Sequence, residues 1–285
     1  MPRSILIDPL SASSLRIEPF FEQTALATAT GFTVSNNDHV YLVTNWHVVS
    51  GRDPDTGVCL DRNAAIPDRL FIAFHAAGQL GSWVRHEIAL LNENGEPLWI
   101  EHPLGSQVDV VAIPLNPAAE IVIHPLDLSL AQTDMVVAPA MPASVIGFPL
   151  GLRAGENWPI WKTGHVASDP DLDFHPGRPA FLIDATTRSG MSGSPVVLRL
   201  SGGYMTRSNA FVVGGGTATK FLGVYAGRIH DASEIGRVWR PFVIQEILEG
   251  KLLFNDDSGR ILPSRTASCP CGSGTRFKHC CGGGP

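Results

Sequence analysis

Short apolar runs, each closed by a turn signal, recur along most of the chain, and they limit what it can fold into. Ala25–Val34 is small and β-branched; Asn36-Asn37-Asp38 ends it, and His39–Thr44 follows. Leu70–Phe74, Glu87–Leu91, Val108–Pro114 and Ala143–Ile146 continue the pattern, the last running into Gly147-Phe148-Pro149. Phe181–Asp184, Pro195–Leu200 and Phe221–Ala226 complete it. Strands this frequent, with turns between them, predict an all-β barrel or sandwich. The 29 glycines and 22 prolines among 285 residues favour the same outcome over long helices. One helix is predicted, over Trp239–Lys251, where Phe242, Ile244, Ile247 and Leu248 have helical spacing and Gly250 can stop it.

Apolar residues make up 44% of the chain and charged ones 17%, enough to build a core and to exclude a largely disordered chain. The net charge of −6 argues against a general nucleic-acid binder, which needs a basic face, so no specific DNA binding is expected. No window reaches the roughly 18 apolar residues of a membrane span; the richest, Met135–Leu150, is broken by prolines. The N-terminus has no apolar stretch of signal-peptide type, so the expected compartment is the cytoplasm. Cys59 stands alone in the large domain, while Cys269, Cys271, Cys280 and Cys281 crowd the C-terminus. A disulfide framework spreads its cysteines along the chain, so the large domain is not stapled, in keeping with a reducing compartment.

Three segments carry candidate chemistry. In Gly190-Met191-Ser192-Gly193-Ser194-Pro195, glycines flank a serine. A serine hydroxyl attacks only when a base takes its proton, and the resulting oxyanion needs backbone N–H groups aimed at it. Glycines allow the tight turn that presents them. Read alone, the segment is also a plausible Gly/Ser-rich hairpin, and Ser189 and Ser194 are rival nucleophiles by composition. In Thr44-Asn45-Trp46-His47-Val48-Val49, His47 follows a strand; a lone His in an apolar setting is more often structural. Asp109 leads straight into Val110-Val111-Ala112-Ile113-Pro114, and alone it reads as a solvated turn residue. A buried carboxylate there needs a partner.

Together, in the order His, Asp, Ser, the three segments resemble the trypsin-like (chymotrypsin-fold) serine peptidases of the bacterial, disulfide-free type, over about residues 20 to 250. The resemblance implies two six-stranded antiparallel β-barrels followed by the C-terminal helix. It implies Ser192 as nucleophile, His47 as general base and acid, and Asp109 as the residue that orients His47. It also implies an oxyanion hole from the N–H groups of Gly190 and Ser192. Tyr225, Ala226 and Gly227, in Leu222-Gly-Val-Tyr-Ala-Gly227, would line the first specificity pocket and pair with substrate backbone, with Thr186 near its base. The chain departs from trypsin at two places. Met191 stands where trypsin has the aspartate that pairs with a freshly cut N-terminus, so activity without N-terminal processing is expected. Thr186 is uncharged where trypsin has its selecting acid, so the residue before the cleaved bond is expected to be small to medium and uncharged.

The tail, Cys269-Pro-Cys271, eight residues, Cys280-Cys281, resembles the SEC-C motif first known in the SecA translocation motor. Four thiolates can close a tetrahedral Zn²⁺ site, and so short a unit needs a metal to fold. A disulfide pairing is the alternative reading. The resemblance implies structural zinc and docking to a protein partner or the ribosome. The predicted organisation is an extension over 1–14, a peptidase domain over 15–252 (barrel one about 15–128, barrel two about 129–240, helix 239–251), a linker over 253–267 and the knuckle over 268–283. Three readings fit: a serine endopeptidase acting on protein or peptide substrates and targeted by a zinc knuckle, a catalytically silent peptidase fold that binds partners through the knuckle, or a protein whose main business is the knuckle, with the peptidase domain as regulated cargo.

Overall fold

The computed structural model describes residues 6–78, 80–230 and 232–252. The first half forms β1 (Ser14–Phe21), β2 (Thr24–Ala25), β3 (Ala29–Asn36), β4 (His39–Thr44), β5 (Arg69–Ala76), β6 (Trp83–Ala89), β7 (Ile100–Glu101), β8 (Val111–Leu115) and β9 (Ile121–Val122). They make one sheet in the order β6-β5-β1-β3-β4-β8-β7, with β2 on β1 and β9 on β5. Six of these strands are substantial; β2, β7 and β9 have two residues each. The second half forms β10 (Pro142–Gly147), β11 (Ile160–Val166), β12 (Ala180–Asp184), β13 (Pro195–Met205), β14 (Phe211–Arg228) and β15 (Ile235–Trp239). These six close into a barrel, β10-β11-β12-β15-β14-β13. Every pairing in both units is antiparallel. The chain is therefore mostly β in two successive units, as the apolar runs predict.

Each unit has its own core, and a third apolar cluster joins them. Ile17, Leu42, Leu70, Ile72 and Ile113 fill the first; Val145, Ile183, Val196 and Val238 fill the second. Between them Phe32 of β3 meets Phe221 of β14 edge to face at 5.7 Å, beside Ile146, Val224 and Trp239. The C-terminal helix, here Phe242–Glu249, adds Val243, Ile244 and Ile247 to this joining cluster. Pro241 at its start and Gly250 at its end set its limits. Inside it the buried Glu246 accepts from His102 Nε2 at 2.7 Å, tying the helix to the loop that precedes Asp109.

Within the extension expected over 1–14, the described residues from Asp8 on pack onto the fold. Pro9–Ser13 is a short helix, α1, capped by the Asp8 side chain, and Leu10, Ala12 and Ser13 are buried. Asp8 receives both Arg199 Nη groups, Ser11 Oγ accepts from Trp161 Nε1 at 2.9 Å, and the carbonyl of Ala12 bonds His75 Nε2 at 2.9 Å. Strand β1 follows at once, its Leu15 and Ile17 inward and Arg16 and Glu18 paired outside. At the other end Ile235–Trp239 is a strand, so the helix begins three residues later than its spacing suggests. No described helix is long and apolar enough to cross a membrane. Cys269, Cys271, Cys280 and Cys281 lie outside the described residues, and among the described residues no cluster of His, Cys, Asp and Glu is arranged to hold a metal.

Candidate active site

After β4 the chain turns into a second short helix, α2 (Trp46–Ser50), with Asn45 at its N-cap. The first N–H groups of a helix have no partner within it. Here Asp109 Oδ1 accepts one of them, from His47, at 2.9 Å. Its other oxygen, Oδ2, accepts from the His47 ring at Nδ1, 2.7 Å away. The buried Asn45 side chain donates to the Asp109 carbonyl at 2.6 Å and fixes that backbone from below. The Asp109 side chain is 3% exposed, so this carboxylate is no solvated turn residue. With Nδ1–H committed to the carboxylate, a neutral His47 presents Nε2 as an acceptor. Burial pulls the His47 pKa down, but the charge and hydrogen bond of Asp109, with help from Asp53, outweigh it and leave the pKa raised.

The Ser192 turn sits between β12 and β13, and four of its carbonyls are held. Leu150 N–H donates to the Ser189 carbonyl (2.6 Å), Thr30 Oγ1 to that of Gly190 (2.7 Å), Ser194 N–H to that of Met191 (3.0 Å) and Thr30 N–H to that of Ser192 (2.9 Å). Gly190 and Gly193 have φ of 94° and 83°, a region that side chains disfavour. A Cβ on Gly190 would strike the Phe148 carbonyl, and one on Gly193 the Thr30 carbonyl. In a trans peptide the N–H points opposite to the C=O. The N–H of Gly190 therefore points away from the donor that holds the Ser189 carbonyl, and that of Ser192 away from the donor that holds the Met191 carbonyl. Neither N–H donates to any described residue.

His47, Ser189, Gly190 and Ser192 line one cavity of about 510 Å³. No hydrogen bond joins the His47 ring to Ser192 Oγ among the described residues; such bonds often close only around substrate. Of the rival serines, Ser194 is fully buried with its hydroxyl unpartnered, while Ser189 is exposed.

The expected specificity residues divide. Ala226 and Gly227 are half-buried, and a Cβ on Gly227 would lie 4.0 Å from Ser192 Oγ. Thr186 is exposed, and its buried neighbour Thr187 bonds the Tyr225 hydroxyl instead. The Tyr225 side chain is 1% exposed, inside the second core, because a glycine stands opposite its ring at position 236. Sequence reasoning passed over two residues that build the site, Thr30 and Asn45. Their only signal is a polar side chain beside an apolar run.

Two β units that meet at such a cleft define the trypsin-like serine protease fold. Residues 29–203 match the family of trypsin-like peptidase domains, and the chain belongs to that family. Residues 265–283 match the SEC-C motif. Among solved structures, the active form of the Rv3671c protease from M. tuberculosis is 18% identical, with 89% of this chain and 87% of that one covered and a TM-score of 0.46. The HtrA-type protease AlgW with tripeptide is 11% identical (84% and 60% covered, TM-score 0.49). A serine endoprotease from Yersinia pestis is 12% identical (87% and 67% covered, TM-score 0.47). No curated protein sequence matches the chain.

Proposed function

We propose that the chain is a serine endopeptidase that cuts peptide bonds with Ser192, His47 and Asp109. The observation that carries this is His47, doubly held by Asp109, lining one cavity with Ser192 and Gly190, whose N–H groups have no described acceptor. Ser192 Oγ attacks the scissile carbonyl carbon while His47 Nε2 takes its proton. Asp109 keeps Nδ1–H in place and stabilises the imidazolium. The carbonyl oxygen, now an oxyanion, is met by the N–H groups of Gly190 and Ser192. As the tetrahedral adduct collapses, the C–N bond breaks and His47 gives its proton to the departing amine. Water, deprotonated by His47, then hydrolyses the acyl-serine. Met191 is buried among apolar side chains, which supports activity that needs no newly cut N-terminus to pair with it.

The peptidase unit begins at Asp8 in this reading, since residues 8–14 pack into the fold, and runs to about residue 252. A linker over 253–267 leads to the knuckle at 268–283. The four thiols Cys269, Cys271, Cys280 and Cys281 fit a closed structural Zn²⁺ site; the metal would hold the knuckle together and take no part in hydrolysis. The knuckle serves as a docking element for a protein partner or the ribosome. A peptidase unit whose one cysteine is Cys59 has no disulfide to keep, which suits the cytoplasm.

Covalent labelling of the full-length chain with a fluorophosphonate, read by peptide mass, tests the assignment. Modification at Ser192 that disappears in His47→Ala is the expected result. A chain left unmodified, with or without zinc, would point to a silent peptidase fold that only binds.

A further inference from the structure

The family resemblance places the first specificity pocket beneath the nucleophile turn, beside residues 225–227. In this chain that space is occupied from within. Tyr225 pairs through its backbone with the turn itself, accepting from Gly193 N–H (2.8 Å) and donating to the Ser194 carbonyl (2.9 Å). Its ring is buried in the second core, in the cluster that also holds Met191 of the turn. The hydroxyl bonds the buried Thr187. The ring edge lies so close to Gly236 of β15 that a Cβ there would overlap Tyr225 Cε2. Met191, Ala185 and Val238 belong to the same closed cluster. Burial holds the hydroxyl's pKa up to about 12, so it stays a neutral hydrogen-bonding end to an apolar plug.

The open space lies on the other side of the nucleophile. The cavity of about 510 Å³ runs from Ser192 and Gly190 past His47 to Leu60, Pro67 and Leu26. That volume is in the range of pockets that enclose a small ligand. Its wall beyond His47 is mostly apolar, and the charges at its rim, Asp61 and Arg62, are of opposite sign. His47 must hand its proton to the departing amine, so the residue after the cleaved bond lies on the His47 side.

We infer that this peptidase selects its substrate mainly by the residue after the cleaved bond, where a large apolar side chain enters the cavity. Tyr225 limits the residue before the bond to Gly, Ala or Ser. The inference rests on the peptidase reading above. It narrows the expectation of a small to medium residue before the bond, and it shifts the larger share of recognition to the leaving half.

A peptide library digested by the full-length chain, with the cut sites read by mass spectrometry, tests it. The expected cuts have Gly, Ala or Ser before the bond and Leu, Met or Phe after it. Tyr225→Val opens the plugged space and raises cutting after Leu or Met, relative to Ala, by at least about tenfold, the usual worth of a few methylenes in a pocket. Tyr225→Phe, which keeps the ring, restores the small-residue preference. Ala27→Trp fills the cavity from an exposed position on its rim. It lowers the preference for apolar residues after the bond and leaves the preference before it alone, and it decides the matter even if the core rejects Tyr225→Val. A wild-type chain that cuts after large residues, or ignores the residue following the bond, overturns the inference. If Ser192 is still labelled by fluorophosphonate in that case, the peptidase reading stands and only the selectivity falls. If nothing is labelled and nothing is cut, both fall together.

Discussion

Thr30 offers the sharpest check on how the proposed oxyanion site is built. Its hydroxyl is fully buried, donates to the Gly190 carbonyl at 2.7 Å and accepts from Phe148 N–H at 3.2 Å. Thr30→Val keeps the shape and removes both bonds. Leaving a buried carbonyl and a buried N–H unsatisfied costs about 1–3 kcal/mol each, and the second bond here is the longer and weaker, so a loss of about 2–4 kcal/mol is expected. For a domain of this size that lowers the unfolding temperature by roughly 5–15 °C. The functional effect is separate. The Gly190 carbonyl, once freed, no longer fixes the turn that aims the Gly190 and Ser192 N–H groups, and losing one such donor outright costs about 10²–10³-fold in rate. Misaiming rather than deletion makes the expected loss about 10–100-fold. The assay is fluorophosphonate labelling well below the unfolding transition, resolved into a binding constant and a maximal rate. The maximal rate should fall while the binding constant holds, and Thr30→Ser should recover both rate and stability. A Thr30→Val chain that is less stable but labels at the wild-type maximal rate would refute the reasoning and leave Thr30 a packing residue.

The remaining predictions concern protons and metal. Since the His47 pKa is raised despite burial, by Asp109 first and then Asp53, labelling of Ser192 should rise with pH about a midpoint above the ordinary 6.5 or so. The pair's contribution to stability runs the opposite way: it is full below about pH 6.5 and is lost as pH rises through the raised value. Asp109→Asn should lower that midpoint and remove the stability trend, and a midpoint at or below 6.5 in the wild type counts against the pair. His75, buried with its Nε2 on the Ala12 carbonyl and His124 nearby, has its pKa pushed down to about 4, chiefly by burial. The unfolded chain takes up a proton that folded His75 refuses, so stability should fall between about pH 6.5 and 4 by up to about 3 kcal/mol. Denaturant melts of His75→Gln should show a flatter acid limb than the wild type; equal limbs would exclude His75 as the cause. Elemental analysis should find about one zinc per full-length chain, as a four-thiolate site requires. Cys280→Ser should lose that zinc and keep Ser192 labelling, whereas zinc retained in Cys280→Ser would reject the proposed ligand set.

What the sequence made legible follows from where its polar residues sit. His47 follows one apolar run, Asp109 precedes another and Ser192 stands in the glycine turn before a third, so candidate chemistry falls beside strand boundaries. Strand β4 and the runs of β10 and β13 were legible for the same reason, being apolar on both faces. Strands β1, β6 and β15 were missed or misplaced because their outer faces carry Arg16, Glu18, Arg85, Glu87 and Arg237, which dilute the pattern. Thr30 was invisible for another reason: the carbonyl it holds lies 160 residues away, and a buried threonine in a small-residue strand has no local mark. Tyr225 was recognised as a pocket residue, but whether an aromatic lines a pocket or fills it depends on what stands opposite. Only Gly236, brought beside it by the pairing of β14 with β15, leaves room for the ring to fill it.

These cases share a cause. His47 on α2 and Asp109 before β8 come from the first unit and Ser192 from the turn between β12 and β13 of the second, so the proposed site forms only where the two units meet. Thr30 bridges that seam, with its N–H on the Ser192 carbonyl and its hydroxyl on that of Gly190, while its own carbonyl is held by Thr44 Oγ1 at 2.8 Å beside the His47 helix. A change that loosens the joining cluster of Phe32, Phe221 and Trp239 therefore acts on the oxyanion turn through β3 without touching a reacting atom. Helix Phe242–Glu249 packs into that same cluster and grips His102, seven residues before Asp109. The stretch that matches the SEC-C motif thus follows in sequence an element that already contacts both halves of the seam.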